Sequence, residues 1–315
     1  MLMLVQNEWM KIIRRPGTLV MVGLLLLMVI LTGSVIKYQQ NQTTVQNKIN
    51  WKTALQQQVD QSKQQLEKAS MVTVPSIKRS IALNEYRIKH NLNPNQKYSM
   101  WDFVSDGSGL IQLAGLFTII IAAGIVAQEF NWGTVKLLLI RPISRGRLLL
   151  SKYITTILFS LVLLVTLFTF SLITGYLLFG TPETVVPYLK YVNGKVAEQS
   201  MISHLVIFYG IKSVTMLMLS TMAFMISAVF RNSSLAIGIS IFLMFTGSEL
   251  TMLLASKFHW AKYILFANTD LSQYFDGVPM VEGMTFNFSL TMLVSYFILF
   301  QVLAFAVFKK RDVAA

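Results

Sequence analysis

Residues 129–152 read EFNWGTVKLLLIRPISRGRLLLSK. Lys136, Arg141, Arg145, Arg147 and Lys152 all fall inside this stretch, so it cannot itself cross a bilayer, where each cation would cost several kcal/mol. The apolar runs on either side, 109–128 and 153–180, are each as long as the roughly 20 residues that a bilayer core requires. The stretch is therefore a turn between two membrane spans, with internal structure of its own. Gly133 breaks the helix arriving from the N-terminal side, and Thr134 is placed to cap a new one. Val135 to Ile140 then form a short, mostly apolar helix that must stop before Pro142, because the residue preceding a proline is pushed out of the helical region. Ser144 offers a second cap for the helix leading into the next span, and Glu129 is near enough in sequence to anchor Arg141 or Arg145. A short oily helix held along a membrane surface among cations has the shape of a docking element on which a cytosolic partner pushes.

The rest of the chain agrees with a membrane setting. Hydrophobic residues make up 54% and charged residues only 13%, with a mean hydropathy of +0.57, too apolar for a water-soluble globule. Beyond the two runs already named, 17–36, 202–230, 235–254 and 288–308 are of spanning length and lack the two-residue alternation of a barrel strand. The expected fold is all-α, a polytopic membrane protein with about six spans. Residues 1–16 read as an interfacial amphipathic helix, 17–36 as the first span, 37–108 as an extracytoplasmic helical insert, and 109–315 as five further spans carrying the polar stretch 129–152.

Lys and Arg number 27 against 14 Asp and Glu, a balance that elsewhere would point to nucleic acid. Here the cations gather in the short loops of one face: Lys11, Arg14 and Arg15, the central stretch, Arg231, and Lys309 to Arg311. That is the positive-inside pattern of a chain with both termini cytosolic. The absence of cysteine excludes disulfides and thiol chemistry.

Within the insert, Val45, Ile49, Leu55, Val59 and Leu66 recur at helical spacing, and Ile77, Ile81, Tyr86 and Ile88 do so again after a break at Val74, Pro75 and Ser76. Two amphipathic helices forming a small outer hairpin are expected. Tyr98, Trp101 and Phe103 mark re-entry at the interface. Pro182, Pro187, Asn193 and Gly194 are the turning points of the next outer loop, and residues 255–287 mix aromatics and acids as short interfacial helices would. In the fourth span Lys212 lies at a depth that a membrane should reject, and Glu249 on the fifth span is the obvious partner. The two are the candidate pathway residues.

No phosphate-binding GxxxxGK[ST] loop, HExxH or GxSxG is present, so the chain has no nucleotide or hydrolase signature of its own. Over its whole length the chain resembles the membrane subunit of bacterial ATP-binding-cassette exporters of the second permease type. The likeness is most specific in Glu129, Gly133, Thr134, Lys136, Leu137, Leu138, Pro142, Ser144, Arg145 and Lys152. It implies that 129–152 contains a coupling helix that inserts into a separate cytosolic ATPase subunit, which would carry the ATP and Mg. It further implies pairing with a second permease chain, residence in the bacterial cytoplasmic membrane, and an amphiphilic peptide, antibiotic or lipid-like cargo. The large insert after the first span departs from the smaller members of that family. A contrasting expectation, a membrane sensor or regulatory scaffold with a ligand-binding outer cap, accounts for the insert but not for six spans.

Overall fold

The computed structural model describes residues 1–43, 51–67, 74–94, 97–131, 133, 143–182, 187–192, 194–275 and 279–310. Helix α1 (Leu2–Ile13) comes first, its buried residues Glu8 and Ile12 lying one turn apart on the face toward the bundle. Pro16 opens the long helix α2 (Pro16–Thr43), a position where its missing N–H costs nothing. Helices α3 (Trp51–Glu67) and α4 (Val74–Lys89) pack against each other as the insert, joined by a Lys63–Glu85 ion pair of 2.8 Å. Val74 and Pro75, read from sequence as a break, instead begin α4. Proline is tolerated in a first helical turn, where its N–H would go unpaired anyway.

The second span begins earlier than its apolar run. Helix α5 (Met100–Gly107), one 3-10 turn (Ser108–Leu110) and α6 (Ile111–Asn131) form a single bent crossing. The acids that interrupt the hydropathy here are consumed locally. Asp102 accepts hydrogen bonds from the Ser99 backbone (2.8 Å) and hydroxyl (2.7 Å), and Asp106 accepts one from the Tyr98 hydroxyl (2.7 Å). Helix α7 (Arg145–Phe179) returns, ending at Gly180, whose φ of 73° belongs to the left-handed side.

A two-stranded antiparallel hairpin follows, β1 (Tyr188–Val192) and β2 (Lys195–Gln199), with Tyr188 opposite Gln199 and Val192 opposite Lys195. It is the one departure from the all-α expectation among the described residues. The connection Asn193-Gly194 carries the type I′ hairpin signal, which the sequence reading took only as a turning point. Helices α8 (Met201–Phe230), α9 (Ser233–Ala255) and α11 (Phe286–Lys310) complete the bundle. Between the last two, a 3-10 turn at His259–Tyr263, the short α10 (Leu265–Asn268) and a 3-10 turn at Leu271–Tyr274 close one end around Asn268. The Asn268 amide donates to the carbonyls of Lys262 and Ile264, and its oxygen accepts from Ser289 at 2.7 Å.

Six helices among the described residues are long and apolar enough to cross a membrane, which with the architecture above makes this a multi-pass, all-α membrane protein. The crossings of α5–α6 and of α8 have 72% and 61% of their apolar windows buried, whereas α2, α9 and α11 have 17%, 22% and 17%. The first pair is thus the core and the others the shell. The core pair meets where Ala123 and Ala127 on α6 face Ser227 on α8, all buried. The Ser227 hydroxyl donates to the Ala123 carbonyl (2.6 Å) and accepts from the Ala127 N–H (3.0 Å), a polar clasp inside an apolar contact. The start of the chain and the end of α11 lie at the end bearing α1, here the basic end. The insert and hairpin lie at the other, the insert end.

Candidate functional site

At the basic end, four charged side chains from three helices meet. Glu8 and Lys11 come from α1, Glu129 from the last turn of α6, and Lys152 from the second turn of α7. Lys152 Nζ lies 2.7 Å from Glu8 Oε2 and 3.0 Å from Glu129 Oε1. Lys11 Nζ lies 3.0 Å from Glu8 Oε1 and 3.1 Å from the same Glu129 Oε1. Charge therefore alternates around a closed ring, Lys11 to Glu8 to Lys152 to Glu129 and back, with no net charge. The Lys152 side chain is 2% exposed and that of Glu8 4%. An ammonium so deeply buried is tolerable only with two carboxylates in contact, because desolvation of either sign alone costs several kcal/mol. Beside the ring, Arg15 Nη1 donates to Gln128 Oε1 at 2.6 Å, a second tie between the N-terminal arm and α6.

Lys11 is the ring's wet corner, its side chain 36% exposed. Burial alone would lower its pKa, but the carboxylates of Glu8 and Glu129 outweigh this and hold it above the ordinary lysine value. Glu8 has a signal in the sequence. The usable signal was its register: Val5 and Ile12 lie three before and four after it, so an acid sits on the apolar face of an otherwise basic helix.

Of the residues singled out in sequence, Glu129 is in the ring, held by Lys11 and Lys152; of the two partners expected for it, Arg141 lies outside the described residues. Arg145 Nη1 donates to the Lys309 carbonyl at 3.4 Å, tying the start of α7 to the end of α11. Gly133 is exposed with φ of 69°, the left-handed conformation that lets the chain leave α6. Ser144 occupies the N-cap position of α7. Thr134, Lys136, Leu137, Leu138, Arg141 and Pro142, and with them the short helix expected over Val135–Ile140, lie outside the described residues. The same end holds a second clasp. Arg231, left-handed at φ 56°, lies over the Phe130 ring at 4.5 Å, and Asn131 donates to Ser233 at 2.8 Å.

The Lys212–Glu249 pairing is not formed. Lys212 instead meets Asp270, in the closing segment between α9 and α11, at 3.3 Å, with side chains 31% and 53% exposed. The buried face of α9 is set by Ser240, Met244, Gly247 and Thr251. Glu249 is two residues from both Gly247 and Thr251, about 200° around the helix, and so is exposed on the opposite side. Lys212 and Asp270 together border a cavity of about 420 Å³ between α6, α8 and α9.

Known proteins with similar sequences place the chain among bacterial relatives. It is 50% identical, over the full length of both chains, to "Uncharacterized protein YhcI" of Bacillus subtilis (strain 168). It is 33% identical to "Uncharacterized membrane protein YdbK" of the same organism, over 62% of this chain and 76% of that one. The family model described as "Protein of unknown function (DUF2705)" matches residues 72–314, which take in α4 of the insert and every span after the first, and the chain belongs to that family.

Proposed function

We propose that this chain is the permease subunit of an ATP-driven exporter of the ATP-binding-cassette type, in which the segment between α6 and α7 docks a separate cytosolic ATPase. The observation that carries the reading is the neutral ion-pair ring. It fastens the helix entering that segment, the helix leaving it and the amphipathic N-terminal arm to one another, within two turns of the docking stretch. A push on 132–144 is then delivered to α6, at the centre of the bundle, and to α7 together. A loosely hinged loop would absorb it instead. In this reading the ATPase holds ATP and Mg, and closure of its subunits exchanges two bundle arrangements, driven by the difference in ATP affinity between them.

In this reading both termini and the docking segment face the cytosol from the bacterial cytoplasmic membrane, which the basic residues in the short loops of that face support. A second permease chain, identical or related, would complete the pathway. The cargo is an amphiphilic peptide, antibiotic or lipid-like molecule, in keeping with a pathway that borders lipid. The test is purification from native membranes in mild detergent, with ATP hydrolysis measured on the purified material. Wild type should carry a stoichiometric ATPase. Leu138→Asp, which places a carboxylate on the oily docking helix, should reach the membrane in equal amount and lose the ATPase. If no ATPase accompanies wild type, or if Leu138→Asp retains it with unchanged hydrolysis, the reading is wrong.

A further inference from the structure

The segment between α9 and α11 turns back along the helices it joins. The Phe266 ring packs on Gly247, about 12 Å along α9 from its end at Ala255. The Tyr263 carbonyl accepts from the Tyr296 hydroxyl at 2.9 Å, about 15 Å along α11 from its start at Phe286. The Thr269 carbonyl accepts from the Thr215 hydroxyl of α8 at 2.8 Å. Two 3-10 turns and the single turn of α10 thus carry irregular backbone well inside the ends of the spans. Such backbone is tolerated at that depth only where protein buries it or where it lines a polar recess. Here Phe266, Thr269 and Asp270 line one, the cavity of about 420 Å³ shared with α6, α8 and α9, a size typical of small-molecule sites.

Among the described residues the wall carries two charges, one of each sign, Lys212 and Asp270. Their separations of 3.3 and 3.4 Å exceed the 2.7 to 3.1 Å of the ring at the basic end, and Lys212 is half-buried and Asp270 exposed. The pair can part without stranding either member. Asp270 Oδ1 also accepts from the Ser272 N–H (3.0 Å) and hydroxyl (2.6 Å), and Lys212 Nζ lies 5.8 Å from the centre of the Phe208 ring. Gln112 and Ser248, also in the wall, make no side-chain hydrogen bond among the described residues. Phe208, Phe266, Met216, Leu219 and Met244 supply apolar surface. A ligand with one charge would leave the opposite member of the pair without a partner, whereas a ligand with both satisfies each. We infer that this recess binds a zwitterion with an apolar body, its ammonium on Asp270 and its anionic oxygen on Lys212. An apolar α-amino acid and the head of phosphatidylethanolamine share that chemistry. Such binding is independent of whether an ATPase docks at the basic end.

The test uses the full chain purified in dodecyl maltoside and two probes, radiolabelled leucine in equilibrium dialysis and phosphatidylethanolamine retention in native mass spectrometry. At least one should bind, leucine saturably or phosphatidylethanolamine in preference to phosphatidylglycerol, and which one does separates a soluble zwitterion from a lipid head. Leucinamide and N-acetylleucine, each with one of the two charges, should compete with leucine about tenfold less well, the scale of one lost charge-assisted hydrogen bond. Lys212→Met and Asp270→Asn should each weaken the bound probe by a similar factor. Lys212→Arg keeps the charge and should bind within a few-fold of wild type. Lys257→Ala, an exposed cation outside the wall, should bind as wild type. If a neutral variant fails to fold, the comparisons with singly charged probes on wild type decide alone. Binding of neither probe, equal binding of the singly charged probes, or undiminished binding in either neutral variant would each overturn the assignment.

Discussion

Replacing Lys152 with methionine keeps the length and apolar stem of the side chain and removes the ammonium, leaving Glu8 and Glu129 to share Lys11. The ring then carries one unbalanced negative charge, on side chains only 4% and 13% exposed. Removing one partner of a buried pair costs about 3–5 kcal/mol, because the remaining charge is left desolvated. At about 1.4 kcal/mol per factor of ten, the population with α1 undocked should rise on the order of 10²–10³-fold. Trypsin reads this directly, since Arg14 follows the last residue of α1 and cleavage of the Arg14–Arg15 bond tracks the open population when reclosing is fast. Lys11→Met is the internal comparison. With its side chain 36% exposed, Lys11 should cost less than about 1 kcal/mol and speed cleavage only a few-fold. Adding Glu8→Gln to Lys152→Met returns the ring to zero net charge and should recover most of the protection. Fragment masses must place the accelerated cut between residues 11 and 15, which separates local undocking from global unfolding. If Lys152→Met is cut no faster than Lys11→Met, or if Glu8→Gln does not rescue it, the ring is not what holds α1 to the bundle.

Other consequences follow from single contacts. A Cβ at Gly247 would come within 2.5 Å of the Phe266 ring, so Gly247→Ala should lower the unfolding temperature by the equivalent of about 1–3 kcal/mol of overpacking. Gly238→Ala on the same helix meets nothing within 4 Å and should be neutral or stabilising by up to about 1 kcal/mol. Glu249→Gln should leave thermal stability unchanged, and Asp270→Asn should cost under about 1 kcal/mol because the Lys212 pair is solvent-screened. A larger effect from Glu249 than from Asp270 would reinstate the pairing expected from sequence. The pKa of Lys11 is raised on folding, so its contribution is complete below its unfolded value of 10.5 and is lost as pH climbs through the higher folded value. Trp9 emission, in a variant with the other tryptophans replaced, should be flat in this respect from neutral pH to the unfolded value and report α1 release only above it. The Lys11→Met variant should lack that part of the change.

The spans were legible because bilayer length and helical continuity leave a coarse signal: every expected apolar run falls, to within a residue, inside an observed long helix. The boundaries were not, for a consistent physical reason. Residues 37–108 read as an outer insert with Tyr98, Trp101 and Phe103 marking re-entry, yet the crossing helix already begins at Met100, its acids Asp102 and Asp106 satisfied by Ser99 and Tyr98 just before it. The strands 188–192 and 195–199 are too short and too polar to rise above a loop, with only Asn193-Gly194 to suggest pairing. Of the site, the acid at Glu129 was found but its pairing was not, since Lys11 is 118 residues away in sequence and nothing local links the two. Lys212 was correctly noticed as a cation needing an acid. Its partner was missed because depth was matched while helical phase was not: Glu249 has the wrong azimuth, and Asp270 arrives from a segment whose path no periodicity encodes.

The molecule joins charge tightly at one end and loosely toward the other, and this bears on what each place can do. At the basic end the buried charges are spent on one another: the ring closes on itself, so it offers no free valence to a ligand and serves to join helices. Its energy is recovered only while all three helices keep their relative positions, which makes it a rigid joint and a poor binding site. Toward the insert end the Lys212–Asp270 pair is longer, at 3.3 Å, and more exposed, and Asp270 has the Ser272 donors besides. A pair in that state can part and keeps its capacity for a ligand. A chain built this way has a stiff lever where force could enter and an open recess beyond it, a separation that α6, continuous from Ile111 to Asn131, spans in one piece, with Gln112 in the recess and Glu129 in the ring.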